Sequence, residues 1–450
     1  MKLKFSILAL LILSSLFATA QTSYSLQQCI DYAITNNMSV KNGMIDTEIA
    51  ESNKHELYAK GLPQVDASSQ LMHNINVQKI VLENGVIPAF TNPALPDGEV
   101  IAFQLQLNNA WTTQITASQI LFDKSFFSGL NDAEIGKDLA VKNMQRTQIE
   151  VAEMVTKAYY GVLVSQKQLE FLGNNIQRVD SLFKETQARF KNGLVRQISV
   201  DRIEVRLNNL KEERERANRL VELNMALLRF QMNVPRTEPF TLSETLDEAI
   251  LANLGATSET VDPSQRIEYG ILKTQLLLSE SETKFVKGGY YPKLSAFATS
   301  GYNPAATHIG DIFQGNRYFN YTYVGLDLRI PIFHGLERKY KVQEQYLQER
   351  KLNNSLQNLE QTIDLQVQQA SINLSNNLES LRIQKRNMEL AQENVRIVQI
   401  ENEKGIANNI EVVNAETDLK ESQTNYYTAL YNALISKTDL DKAKGTLLKN

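Results

Sequence analysis

From Leu336 to about Glu403 the chain contains neither Pro nor Gly, and its apolar positions recur as Leu352, Leu356, Leu359, Ile363, Val367, Ala370, Leu374, Leu378 and Leu381. The mean spacing is about 3.6 residues, the period of the α-helix itself rather than of a heptad coil, and it predicts one nearly straight helix about 100 Å long. Lys124 to Lys191 has the same length, interrupted only by Gly129, Gly136, Gly161 and Gly173. Each of these two rods is far longer than a globular domain needs.

Elsewhere the period is two. Ala67, Ser69, Leu71, Ile75 and Val77 alternate with Asp66, Ser68, Gln70, Asn74, Asn76 and Gln78. A second run sets Phe103, Leu105, Leu107, Trp111, Ile115 and Leu121 against Gln104, Gln106, Asn108, Thr112, Gln114 and Ser118. Later, Leu294 to Tyr302 alternates weakly, and Tyr318 to Ile332 sets Val324, Leu326, Leu328 and Ile330 against Asp327 and Arg329. Such strands fit either a membrane barrel with a wet lumen or a soluble hairpin with one buried face. In the barrel reading Leu105, Leu107, Leu326 and Leu328 face lipid, Gln106 and Asn108 face the lumen, and Tyr318, Phe319, Tyr321 and Tyr323 form an interfacial girdle. Ile80 to Ile101, with Gly85, Pro88, Pro93, Pro96 and Gly98, reads as an exposed loop.

Shorter helices complete the pattern. Ser25 to Asn36 can be capped by Ser25, and Ser39 to Lys60 stops at Gly61 and Pro63. Ser199 to Asn233 ends before Pro235, and its run Lys211 to Arg216 reads as a solvated face. Ser264 to Val286 and Ile410 to Lys449 follow in the second half. Phe122 and Phe333 stand 211 residues apart, while Gly193 and Gly405, Ile198 and Ile410, and Val200 and Val412 each stand 212 apart. Offsets this constant mark a duplication. Residues 21–235 form the first repeat, 236–262 a linker, and 263–450 the second repeat, each running helix, strand, strand, long helix, helix.

Four strands per chain cannot close a barrel in lipid, where every backbone group must be paired, so several chains must share one; two copies are the minimum and three give twelve strands. Each rod spans what two shorter helices cover end to end, so four helices per chain continue the strands as a tube.

Met1 to Ala20 carries Lys2 and Lys4, an apolar run and Ala18-Thr19-Ala20, the form of a secretory signal cleaved before Gln21; a buried helix or anchor is the other reading of so short a run. No other segment has the roughly 18 apolar residues of a membrane helix. A net charge of -4 with 22% charged residues gives no basis for nucleic-acid binding. Cys29, the one cysteine, excludes an internal disulfide. His55, His73, His308 and His334 are scattered without metal or catalytic spacing, so no enzyme activity, metal or cofactor is expected.

The ordered motifs resemble the TolC family of outer-membrane efflux proteins. They are LQQCIDYAITNN after the signal, Gly61-Leu62-Pro63-Gln64-Val65 and Tyr291-Pro292-Lys293-Leu294-Ser295 at strand entries, Leu121-Phe122-Asp123 and Pro331-Ile332-Phe333-His334-Gly335 at the strand-to-rod junctions, and the turns at Gly193 and Gly405. The resemblance implies a mixed α/β membrane protein: a homotrimer whose β-barrel, four strands per chain, continues into a long periplasmic α-helical barrel. It implies an outer-membrane location in a Gram-negative bacterium, with lipid around the strands. The function implied is a passive exit duct of a tripartite efflux or type I secretion system, partnered by a periplasmic membrane-fusion adaptor and an inner-membrane pump of the RND or ABC type. By the same resemblance Glu411 and Asn414, six and nine residues after Gly405, take the positions of acidic rings that narrow the tunnel; a place at a helix N-terminus also accounts for Glu411. Chain direction puts Gly193, Leu194, Val195, Gly405, Ile406 and Ala407 at the far end of the rods, where exposed apolar groups would dock an adaptor. The competing reading is a periplasmic coiled-coil adaptor or structural rod, which leaves the four strands unexplained.

Overall fold

A computed structural model describes residues 23–104, 106–246, 262–315 and 318–448; the signal segment, Leu105 and most of the linker lie outside these. In chain order the elements are β1 (Ser23–Tyr24), α1 (Leu26–Asn36), α2 (Met38–Ala59), β2 (Gln64–His73), β3 (Lys79–Glu83), β4 (Val100–Gln104), β5 (Asn109–Phe122), α3 (Lys124–Lys191), α4 (Gln197–Met232), β6 (Thr241–Leu242), α5 (Ile267–Gly288), β7 (Lys293–Tyr302), β8 (Ala305–Ala306), β9 (Asn320–Arg329), α6 (Glu337–Glu403) and α7 (Asn409–Lys444). The series α2, β2, β5, α3, α4 recurs as α5, β7, β9, α6, α7. Two compact units share these elements: a helical one (the described residues up to Glu48, Asp138–Gln275 and Leu352 onward) and one holding the sheet (Ile49–Lys137 and Leu276–Lys351). Each unit draws on both repeats, because the chain passes between units inside α2, α3, α5 and α6.

In the helical unit α1 opens with a capping box: the Ser25 hydroxyl accepts from the Gln28 amide at 3.3 Å, and the Gln28 side chain accepts from the Ser25 amide at 2.9 Å. Its face Cys29, Ile30 and Ala33 packs against Val151, Val155 and Tyr159 of α3 and Leu228 and Met232 of α4. Burial, then the Glu244 charge, pushes the Cys29 thiol up to about 12, so it packs as an inert small residue. β1 pairs in parallel with β6, so the first part of the expected linker is a strand beside the start of α1. The 3.6-residue stripe of α6 is buried: Ile363, Val367, Ala370 and Leu374 pack with Leu440 and Ala443 of α7. Each of the larger side chains, Ile363, Val367, Leu374 and Leu440, contributes roughly 2 kcal/mol. Polar clamps reinforce the packing. Glu153 of α3 accepts from Lys157 at 2.7 Å and from Lys442 of α7 at 2.6 Å. Lys420 of α7 reaches Glu213 of α4 at 2.9 Å, so the Lys211–Arg216 run is not wholly solvated.

The other unit holds an antiparallel sheet in the order β2-β5-β7-β9, with β8 added at the Asn109 end of β5. Here the structure corrects the strand boundaries. The expected loop Ile80 to Ile101 contributes β3 and β4, which among the described residues pair only with each other. The run from Phe103 to Leu121 is therefore not one strand: β4 ends at Gln104, the chain bends through Gln106–Asn108, and β5 starts at Asn109. Leu107 thus lies ahead of the sheet strand. Alternation keeps its phase across the bend, so periodicity could not reveal it. Side-chain hydrogen bonds do: Asn109 donates to the carbonyls of Ala306 and Thr307 at 3.3 and 2.8 Å, and His73 Nδ1 meets Asn109 Oδ1 at 2.7 Å. The loop beyond β3 is organised by buried Asn84, whose amide donates to the carbonyls of Asn92, Leu95 and Pro96.

Candidate functional site

The cross-strand register assigns the paired sheet residues to a face, with one shift between Ile120 and Phe122. One face carries Val65, Ala67 and Leu71 on β2; Trp111, Ile115 and Ala117 on β5; Leu294, Ala296 and Ala298 on β7; and Val324, Leu326 and Leu328 on β9. Val324, Leu326 and Leu328 are largely exposed. The opposite face carries Asp66, Ser68, Gln70, Thr112, Gln114, Thr116, Ser118, Ser295, Thr299, Asp327 and Arg329. Tyr321 and Tyr323 also fall on this polar face, which corrects their place in an interfacial girdle. They occupy odd positions of β9 with Asp327 and Arg329, opposite in parity to Leu326 and Leu328. The aromatic group beside the apolar face is instead Trp111, Phe313, Tyr302 and Tyr318, with Trp111 5.6 Å from Phe313 and Tyr318 6.3 and 6.4 Å from Trp111 and Tyr302. At the other end of β5, Phe122 lies 6.2 Å from Phe127. The stretch between Trp111 and Phe122, at about 3.3 Å per residue and a tilt of about 40°, spans roughly 28 Å, the height of a lipid-facing band.

The two turns in the helical unit share one construction. Gly193 and Gly405 have φ of 73° and 74°. The amides of Leu194 and Ile406 reach back to the carbonyls of Arg189 and Glu401 at 2.9 and 2.8 Å, closing each helix as a Schellman motif. Leu194 and Ile406 are 73% exposed each, and Val195 is half-buried. Ala407 is buried, contrary to expectation, because Asn402 inside α6 donates to its carbonyl at 2.9 Å and draws the turn inward. Asn408 caps α7, accepting from the amides of Ile410 and Glu411 at 2.9 and 3.1 Å. Its own amide donates to Glu411 Oε1 at 2.7 Å, so Glu411 completes a helix cap. Glu411 and Asn414 both lie on exposed positions of the first turns of α7.

Behind this surface lies a polar cluster that the sequence reading missed. Arg178 of α3 holds Glu416 of α7 through Nε at 2.8 and 3.0 Å to the two carboxylate oxygens, and Gln399 of α6 donates to Glu416 at 3.0 Å. Nearer the turns, Asn409 donates to Thr186 at 2.8 Å and accepts from Asn402 at 3.0 Å. Three helices are thus tied by buried Glu416, Asn402 and Thr186 together with half-buried Arg178, Gln399 and Asn409. A signal existed: Glu416 and Gln423 stand on the same buried stripe as Val412, Leu419 and Leu430, where charge is out of place.

A sheet with two faces of opposite polarity and, separately, long paired helices are the parts of a membrane channel. The family model described as outer membrane efflux protein matches residues 30–229 and 279–446, well over half of the chain. The chain belongs to the outer membrane efflux protein family. Among relatives, Outer membrane protein TolC of Vibrio cholerae is 20% identical over 342 residues, covering 74% of this chain and 76% of that protein. Among solved structures, CusC shares the fold with a TM-score of 0.72 at 12% identity, covering 94% of this chain and 92% of that one. The Campylobacter jejuni CmeC outer membrane channel gives a TM-score of 0.66 at 15% identity, covering 94% and 85%. The Neisseria gonorrhoeae MtrE outer membrane channel gives 0.67 at 16%, covering 94% and 89%. This member of the family is an outer-membrane protein with a periplasmic helical extension, and the TolC-like fold read from the sequence is the fold it has. The family comprises efflux proteins rather than enzymes, and the soluble adaptor or rod reading is set aside.

Proposed function

We propose that three copies of the chain close into one channel, which forms the exit duct of a tripartite efflux or type I secretion system. The observation that carries this is the pair of free edges: among the described residues β2 and β9, ten residues each, bound the sheet and leave a row of unpaired backbone groups on either side. In lipid such groups must be paired, and joining β9 of one copy to β2 of the next removes every edge. Twelve strands fall within the known range of barrels. The apolar face then meets lipid through Leu326 and Leu328, and the face of Asp66, Gln114 and Thr116 lines the lumen. Conduction is passive, with energy coming from an inner-membrane pump of the RND or ABC type through a periplasmic membrane-fusion adaptor. Gly193, Leu194, Val195, Gly405, Ile406 and Ala407 form the docking rim, with Leu194 and Ile406 as its exposed apolar contacts and buried Ala407 as its support. Glu411 and Asn414 line the narrowest point, where one Glu411 per chain gathers cations.

Mass measurement in mild detergent should give about three chains, and the purified protein should conduct in planar bilayers; a stable, non-conducting monomer would refute the duct. Glu411→Ala should raise conductance or weaken divalent-cation block. Unchanged values in that variant would take Glu411 out of the constriction and leave it as a hydrogen-bond partner of the cap residue Asn408.

A further inference from the structure

The polar face of the sheet carries three aromatic side chains that its alternation does not call for. Phe297 of β7 lies across Gly325 of β9, where an added Cβ would come within 2.7 Å of the ring. Tyr321 reaches over Gly301 to donate to Gln114 Oε1 at 2.9 Å. Rings laid over strand glycines are a known way of shielding a sheet, and that explains these two. Tyr323 is different. Its cross-strand neighbour is Thr299, and it stays 51% exposed while its ring runs nearly parallel to that of Tyr321, at 6.1 Å and 14°. Phe297 meets it edge-on at 6.0 Å and 77°. The result is a fixed aromatic strip with one open ring.

The charges beside the strip set what it can hold. Asp66 lies in the same cross-strand row as Tyr323, through Thr116 and Thr299, and Asp327 stands one row beyond Gly325 on the same face. Both carboxylates are exposed. Arg329 lies a further row on, 3.7 Å from Asp327, and Lys293 in that row is paired with Asp123 at 2.7 Å. The charged side chains of this face that lie nearest the open ring are thus carboxylates, Asp66 three strands across and Asp327 four residues along β9, with neutral Thr299 and Gly325 between, and a ring face itself attracts cations. We infer that Phe297, Tyr321 and Tyr323 form a stacking subsite in the exit lumen for aromatic organic cations in transit. This rests on the duct reading, which places the polar face in the lumen. Three chains would present three such strips around one pore.

The test uses the assembled protein in planar bilayers, with benzyltrimethylammonium and tetramethylammonium as probes of equal charge. The benzyl compound should interrupt the current about 2- to 10-fold longer per event, the factor that one aromatic contact supplies. Tyr323→Phe should keep that ratio. Tyr323→Leu, which retains bulk for assembly, and Tyr323→Ser should bring it to about one. Equal dwell times for the two cations in the wild type, or an undiminished ratio in both Tyr323→Leu and Tyr323→Ser, would overturn the subsite and leave the duct intact. Absence of any conductance would overturn the duct and the subsite together.

Discussion

Glu416 sits 3% exposed on α7, and the energetics of the turn region hang on how its charge is satisfied. A buried carboxylate is tolerable only when paired and hydrogen-bonded, and Arg178 with Gln399 supplies three contacts from two other helices. Removing Arg178 strands the charge, whereas Glu416→Gln removes charge and keeps much of the shape. Arg178→Ala should therefore cost about 3 kcal/mol, the low end for a broken buried pair because Arg178 is partly exposed, and Glu416→Gln distinctly less. Denaturant unfolding of the two variants would measure the difference, and equal costs would mean that the charge is not the cause. Glu411, five residues earlier, is exposed and bonded to its own cap residue, so Glu411→Ala should barely change stability. Glu411 at the start of a helix was legible in the sequence; the pairing of Glu416 across three helices was not, because Arg178 and Glu416 are 238 residues apart.

At the scale of elements, the sheet faces make the sharpest prediction. Leu326→Arg puts a charge on the lipid side and should cost about 2–4 kcal/mol at mid-membrane. Ser295→Arg, on the opposite face and paired with Asp327 across the strands, should be tolerated. Yields of assembled protein from outer membranes would compare them, and equal sensitivity would refute the register. The turns give another. Gly193 and Gly405 have positive φ, so Ala at either should cost about 1–2 kcal/mol, seen as faster amide exchange around the turn. Strand parity was readable residue by residue, but the ends of strands were not: the bend at Gln106–Asn108 and the pairing of β3 with β4 depend on partners that alternation does not name.

For the molecule as a whole, the helical unit should respond to acid through its polar clamps. Burial alone would raise the Glu153 carboxyl, but hydrogen bonds from Lys157 and Lys442 more than offset it and hold it below its ordinary value of 4.5. Glu268 is likewise held low against its own burial by Arg266. A carboxylate held low in the folded state stabilises the fold above its ordinary value, and this contribution is lost as pH falls through the folded value. Tm followed by helical circular dichroism should thus be flat from pH 7 to about 5 and fall below that. Glu153→Gln should shallow the fall; an identical acid limb would place the loss elsewhere.

The chain's own sequence determined its two repeats, its long helices, its turn glycines and the two-sidedness of its strands, since each of these follows from local spacing and backbone preference. It also carried enough ordered motifs to mark the efflux family. Tertiary structure alone decided which strands pair, where β5 begins, that Ala407 is buried, and that Arg178 holds Glu416. The physical reason is range: periodicity reports which side of an element is apolar, while register, burial at a turn and ion pairing depend on what distant segments bring to that side.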